Sequence, residues 1–66
     1  MNDVKFNVPT KILVKFSDKN NEILENVIEV EVDYIPEKIT SFYFLTEKGN
    51  NITCMFGVEA IEIVTG

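Results

Sequence analysis

Hydrophobic side chains recur at every second position along most of this chain. The clearest stretch is NVIEVEVDYIP, residues 26–36, in which apolar and aromatic residues alternate with carboxylates. Successive side chains of a β-strand point to opposite faces, so a period of two indicates strands, whereas an amphipathic helix repeats about every 3.6 residues. The sequence therefore predicts an all-β fold.

Turn residues divide the alternating pattern into five or six short strands. We expect one long bent strand or two short ones over Val4–Phe16, interrupted by Pro9, which lacks the N–H that a central strand donates. Further strands are predicted around residues 24–34, 41–46 and 52–56, and the last strand contains Ile61 and Ile63. Between Gly57 and Ala60 we expect a single 3₁₀ turn, because that stretch is too short for a longer helix.

Sequential hairpins of short strands suit a small antiparallel barrel, since closing a sheet removes its exposed edges. The order of elements, a hairpin followed by one helical turn and a short last strand, is similar to that of an SH3-like barrel. The similarity concerns layout only, because the sequence does not show the aromatic and acidic positions of peptide-binding SH3 domains. We predict a single domain, residues 1–66, that forms a five- to six-stranded barrel of SH3-like layout.

Two hairpins have registers that the residue pattern predicts. With a loop at Lys19–Asn21, residues paired across the first hairpin have numbers that sum to 40. The expected outward pairs are Lys15–Glu25, Lys11–Glu29 and Leu13–Val27, and the expected inward pairs are Phe16–Leu24 and Ile12–Ile28. The second hairpin turns at Gly49–Asn50 with two or three loop residues; turn chemistry favours two. The apolar faces favour three, which pairs Phe44 with Cys54 and Phe42 with Phe56.

Counting alternate positions assigns each apolar residue to the core or to the surface. The predicted core residues are Ile12, Val14, Phe16, Ile28, Val30, Val32, Phe42, Phe44, Ile52, Phe56, Ile61 and Ile63. The residues left on the outer face are Leu13, Val27, Tyr43, Leu45 and Met55. Because monomers seldom expose large contiguous apolar patches, these residues form a candidate surface for a protein partner. The alternative is that barrel curvature or the N-terminal segment covers them.

The composition limits how such a fold is stabilised. A chain of 66 residues makes one domain and buries only about 60% of the surface that its unfolded form exposes. Its single cysteine cannot form an intramolecular disulfide, and without histidine a structural zinc site lacks its usual ligands. We therefore expect either an economical core or self-association.

The charge balance narrows the classes of partner. Eleven Asp and Glu against six Lys give a net charge of −5, and the sequence has no arginine. Both features disfavour nucleic-acid binding, which relies on arginine forks and on cationic surface. No apolar run reaches the length of about 18 residues that a membrane span needs, and the N-terminus lacks the apolar stretch of a secretory signal. Together with the free thiol, these features predict a cytoplasmic protein.

The carboxylates of Glu29, Glu31 and Asp33 raise the question of a binding site. At every second strand position they are roughly 6.5–7 Å apart, so they do not converge on a single Ca²⁺ ion. Glu29 is expected beside Lys11, which leaves Glu31 and Asp33 as an acidic strip. The strip is either a solvated strand face or a surface that attracts a basic protein.

Catalytic chemistry finds little support in the residues. Cys54 lies between apolar neighbours and is expected in the core, where a thiol stays unreactive. The sequence has no histidine to act as a base, and it shows no nucleophile–base pair or glycine-rich phosphate loop. We predict a protein that is not an enzyme and that uses no cofactor or metal.

Three functional hypotheses follow from these patterns. The leading one is a non-enzymatic interaction module that self-associates or docks on a protein partner through the outer apolar face. The second is a protein of a mobile element that binds or sequesters a small molecule such as a nucleotide; its candidate contacts are Lys11, Lys15, Tyr34 and Tyr43. The third is an acidic inhibitor that mimics nucleic acid. We expect no nucleic-acid or membrane partner.

Overall fold

Every regular element in the described part of the chain is a β-strand. The computed structural model describes residues 2–49 and 52–65. The strands are β1 (Asn2–Phe16), β2 (Glu22–Tyr34), β3 (Ile39–Thr46), β4 (Thr53–Met55) and β5 (Val58–Val64). The all-β prediction is confirmed. The predicted 3₁₀ turn is wrong: the chain bends at Phe56 and Gly57, with Gly57 at a φ of 74°, and β5 begins at the next residue.

The strands form one antiparallel sheet in the order β4-β3-β2-β1-β5. Strand β1 lies between β2 and β5. Strand β5 forms one edge of the sheet, and the shortest strand, β4, forms the other edge. The sheet curls enough to bring β3 into contact with β5. Within residues 2–49 and 52–65 no ladder joins β4 to β5, so the sheet is open and the predicted closure into a barrel is not observed.

The first hairpin has a longer loop than the sequence suggested. Strands β1 and β2 are joined by residues 17–21, and Ile12 pairs with Leu24 rather than with Ile28. The register therefore differs from the predicted one by four residues, and none of the predicted pairs of this hairpin forms. Because four is an even number, the inner and outer faces of β1 and of the start of β2 stay as predicted.

A bulge at Asn26 then exchanges the two faces of β2. Between the pairs Thr10–Val27 and Ile12–Leu24, β2 has one residue more than β1, and Asn26 has a φ of 58°. Such an extra residue shifts the alternation by one position, so Val27 points inward and is 0% exposed. Its predicted place on the outer face is therefore wrong. A second irregularity, at Ile28, restores the original alternation.

The N-terminal half of β1 contains a larger bulge around Pro9. Residues 6–9 of β1 lie between the pairs Lys5–Glu29 and Thr10–Val27, where β2 has only Ile28. A bulge tolerates proline because the ladder there needs no N–H donor. The Thr10 hydroxyl donates a hydrogen bond to the Val8 carbonyl at 2.9 Å within this bulge. Of the two predicted alternatives, one long bent strand is the one observed.

The core lies on the inner face of β1, β2 and β3. Its buried residues are Ile12, Val14, Phe16, Leu24, Val27, Val30, Val32, Phe42 and Val58. Of the other predicted core residues, Phe44 and Ile61 pack at its margin, and Ile28 is half-buried. The predictions for Ile52, Phe56 and Ile63 are wrong, since more than half of each side chain is exposed.

The second hairpin shows why the assignments in β4 fail. Phe42 pairs with Met55, and Phe44 pairs with Thr53, one position away from the predicted pairs. A shift of one residue exchanges the two faces of a strand. Met55 therefore packs against the core, and Cys54 lies opposite Tyr43 and is half-buried. The number of loop residues depends on Asn50 and Asn51, which lie outside the described residues.

Candidate functional site

The outer face of β2 brings the acidic strip next to two of the predicted apolar contacts. Directly opposite residues of neighbouring strands share a face. Glu31 lies between Asp3 of β1 and Tyr43 of β3, and Glu29 lies between Lys5 and Leu45. Asp33, the other member of the predicted strip, lies opposite Ser41 on β3. The result is one mixed surface, called here the acidic face, whose members are Asp3, Lys5, Glu29, Glu31, Asp33, Tyr43 and Leu45.

Repulsion between carboxylates characterises the acidic face. The pKa of Glu29 is raised above its ordinary value of 4.5, first by a hydrogen bond with the Asp3 side chain, then by desolvation and by the charge of Asp3. Lys5 lowers this pKa, and Glu31 raises it further. Asp3 also lies directly opposite Glu31, and like charges in that arrangement are destabilising. One lysine therefore neutralises only part of this negative charge.

The arrangement of the carboxylates on this surface bears on metal binding. Glu29, Glu31 and Asp33 follow one another along β2, and Asp3 lies opposite Glu31 on β1. Among residues 2–49 and 52–65 no three His, Cys, Asp or Glu side chains are grouped so that they could hold a metal ion.

The five predicted docking residues do not form a common surface. Tyr43 and Leu45 belong to the acidic face, whereas Leu13 lies on the other half of β1, between Ile23 of β2 and Glu62 of β5. The two remaining residues, Val27 and Met55, pack in or against the core.

The four residues predicted to bind an anionic ligand are also separated. Lys11 forms an ion pair with Glu25 at 3.5 Å, and Lys15 forms one with Glu62 at 2.8 Å. Tyr43 belongs to the acidic face, and Tyr34 is exposed at the end of β2. Carboxylates therefore neighbour both lysines and Tyr43, which disfavours a nucleotide at these positions.

An apolar groove opens on the inner face of the sheet, where β5 stops covering β1. In residues 2–49 and 52–65, the pairing of β5 with β1 runs from Lys11 to Phe16. In this part of the chain the inward side chains of the N-terminal half of β1 therefore have no strand beside them on that side. The groove has a volume of about 340 Å³. It is lined by Val4, Phe6, Ile12, Val30, Ile61, Glu62 and Ile63.

The backbone edge beside this groove is unpaired. Residues Asn2–Lys5 pair with β2 on one side, and in the described part of the chain no strand pairs with their other side. An open strand edge offers N–H and C=O groups to an added strand. We call this segment the free edge of β1. The alternation of Val4, Phe6 and Val8 predicted this strand. It did not predict that β5 would pair with the C-terminal half of β1 and leave the N-terminal half without a second neighbouring strand.

A second groove, of about 520 Å³, lies between the β2–β3 turn and the start of β5. It is lined by Ser17, Glu37, Lys38, Ile39, Thr40, Gly57, Val58 and Glu59. Its charged groups are two glutamates and one lysine, which do not favour an anionic ligand.

No family model matches the chain, and the searches of curated proteins and of solved structures gave no significant match. None of the elements in residues 2–49 and 52–65 is a helix of the length and apolar character that crossing a membrane requires.

Proposed function

We propose that this protein is a non-enzymatic interaction module, cytoplasmic, that self-associates or docks on a protein partner. The observation that supports this function is the apolar groove beside the free edge of β1. Val4 belongs to both features and is 47% exposed. A strand added at the free edge would satisfy backbone groups and cover apolar side chains in the same step.

The amount of exposed apolar surface supports the same function. Several large hydrophobic side chains in the described residues are between 46% and 76% exposed. They are Val4, Val8, Ile23, Tyr34, Ile35, Ile52, Phe56 and Ile63. Small chains without disulfides or metals commonly gain stability by association, which removes such surface from water.

The sheet itself is proposed to be an incomplete barrel of SH3-like layout. The strand order β4-β3-β2-β1-β5 and the contact between β3 and β5 support this proposal. The bulges of β1 and β2 support it too, because bulges bend strands and increase their twist. Amide exchange tests it: protection of β5 comparable to that of β1 would favour the layout, and rapid exchange of the whole of β5 would contradict it.

Sedimentation velocity over a range of concentrations tests the proposed function. We expect the wild-type chain to associate, and we expect Val4→Asp to weaken association at least tenfold, because the variant places a charge at the groove and the edge. Ile35→Asp is the matched control, since Ile35 is exposed in the bend after β2, away from the groove. Association that is equally strong in Val4→Asp would remove the groove from the proposal.

A second candidate function, docking of a basic protein, is favoured by the composition of the acidic face. Asp3 joins Glu29 and Glu31 there, next to the aromatic side chain of Tyr43 and the apolar side chain of Leu45. Capture of a basic partner through this face should weaken steeply between 0.05 and 0.5 M salt, by roughly tenfold or more. Glu31→Gln should weaken capture further, whereas Glu37→Gln, in the β2–β3 turn, should not.

A further inference from the structure

We infer that two copies of this chain pair antiparallel through the free edges of β1, about a two-fold axis that passes beside Val4. This inference rests on the proposed function, since it names a second copy as the partner of the groove and edge. The two-fold axis makes the interface isologous: if one residue of the edge lies opposite a second residue of the partner, then that second residue also lies opposite the partner's copy of the first.

Charge complementarity selects this register. With the axis beside Val4, paired residues have numbers that sum to 8: Asp3 lies opposite the partner's Lys5, and Lys5 lies opposite the partner's Asp3. Opposite charges in directly opposing positions of an antiparallel pair are favourable. An axis beside Lys5 would instead place Lys5 opposite the partner's Lys5, and an axis beside Asp3 would place two aspartates together.

The pairing also relieves the repulsion already present in one chain. Asp3 lies opposite Glu31 of β2, and its other flank is the free edge. The partner's Lys5 would occupy that flank. Each Lys5 would then lie between its own Glu29 and the partner's Asp3, so that cations and carboxylates alternate across the joined sheets.

The space beside β1 accommodates the second strand. Both β5 and the partner's β1 run antiparallel to β1 on the same side, and β5 pairs with β1 no further than the Lys11–Val64 pair. The partner's strand would pair with residues 2–6. Residues 7–10 of β1 separate the two, and they include Pro9, which has no N–H to donate to either neighbour.

Apolar contacts on the inner face favour the same arrangement. Val4 pairs with the buried Val30 and therefore shares the inner face of the sheet. In the two-fold register Val4 lies directly opposite the partner's Val4, at a Cα separation of about 4.5–5.5 Å. Two grooves would then adjoin across the interface, and the exposed surface of Val4 would be covered.

A charge exchange tests the register. Asp3→Lys and Lys5→Asp each replace two opposite-charge pairs by two like-charge pairs, so we expect each variant alone to self-associate at least tenfold more weakly than wild type. A mixture of the two variants restores both pairs, and we expect it to form heterodimers by sedimentation and by energy transfer between labelled chains. Glu37→Lys and Lys48→Asp are the charge-matched controls, since both residues are exposed outside the strands.

The outcomes separate this inference from the proposed function. Association of wild type that both charge variants leave unchanged would overturn the register but leave self-association through another surface. Weakened single variants whose mixture does not associate would also overturn the register. A wild-type chain that stays monomeric at high micromolar concentration would overturn the inference and the self-association on which it rests. Circular dichroism of each variant verifies that its fold is retained.

A disulfide provides a second measurement that does not depend on charge. In a Cys54→Ser background, Val4→Cys places two thiols at a Cα separation within the range of about 4.4–6.8 Å that a disulfide spans. Mild oxidation should link this variant into dimers at least tenfold faster than Asn7→Cys, which lies outside the paired segment. Equal rates of linkage for the two variants would contradict the register.

Discussion

The two halves of β1 have the same alternation of apolar and polar residues, but their inward side chains are buried to different degrees. Val14 in the C-terminal half is 0% exposed, and Val4 in the N-terminal half is 47% exposed. The C-terminal half has β2 on one side and β5 on the other, whereas β2 is the one strand that pairs with the free edge among the described residues. Burial here depends on the neighbouring strands that a residue has as well as on its position within the alternation.

The largest expected difference between the two halves is the cost of removing an inward side chain. Ile12→Ala leaves a cavity in the core and should lower the free energy of unfolding by about 2–5 kcal/mol. Val4→Ala, the matched change at the free edge, should lower it by no more than about 0.5 kcal/mol in dilute, monomeric protein. Urea unfolding at low protein concentration measures both values.

Equal costs for these two variants would contradict the comparison, because they would mean that Val4 is as well covered as Ile12. If Ile12→Ala does not fold, Ile12→Val should still cost about 0.5–1.5 kcal/mol. That milder change keeps the measurement within the range of a small domain's stability.

The bulge at Asn26 of β2 lies beside the boundary between the two halves of β1. Asn26 has a φ of 58°, and its carbonyl accepts a hydrogen bond from the Glu47 amide at 2.8 Å. The left-handed backbone region costs a residue with a Cβ about 1–2 kcal/mol, and asparagine tolerates this region better than most residues do. Asn26→Ala should therefore lower the free energy of unfolding by about 1 kcal/mol.

Asn26→Gly is the control for this effect, since glycine adopts a positive φ without strain. We expect it to be at least as stable as wild type in the same urea titration. An alanine variant as stable as the glycine variant would show that the left-handed conformation is not needed at this position.

The bulge also explains how far the sequence predicts this fold. Alternation predicts the strands, the antiparallel sheet and the inner face of the C-terminal half of β1. The alternation gives the wrong face for Val27, because the extra residue at Asn26 shifts the alternation by one position. A single asparagine within a strand is weak evidence of a bulge, so the sequence did not predict this shift. The alternation fails again in β4, where a shift of one residue moves Cys54 outward and Met55 inward.

The candidate site was less predictable than the strands, for a related reason. The groove exists because β5 pairs with only part of β1, and pairing between strands that are distant in sequence is not encoded in the alternation of either one. The acidic strip of Glu31 and Asp33 was visible in the sequence, but its contact with Asp3 and Tyr43 depends on the same long-range pairing. Local patterns therefore predict faces and not neighbours.

The smallest expected effect concerns the carboxylates beside the free edge. The pKa of Glu29 is raised above 4.5, first by the hydrogen bond with Asp3, so the folded chain binds this proton more tightly than the unfolded chain does. Stability should therefore rise as the pH falls from neutral through the raised pKa, and this gain should be complete below about pH 4.5, where the unfolded chain also binds the proton. Glu29→Gln removes the titrating group and should flatten the dependence.

Asp3→Asn tests the cause of that shift, since it removes the first contribution to the raised pKa of Glu29 and leaves the Glu29 carboxyl in place. We expect its stability to vary less with pH than that of wild type over the same range, in urea titrations at several pH values. Neither lysine ion pair of the C-terminal half, Lys11–Glu25 or Lys15–Glu62, involves these carboxylates. A pH dependence that both variants leave unchanged would therefore place the titrating group elsewhere and remove electrostatic repulsion as a distinguishing property of the N-terminal half of β1.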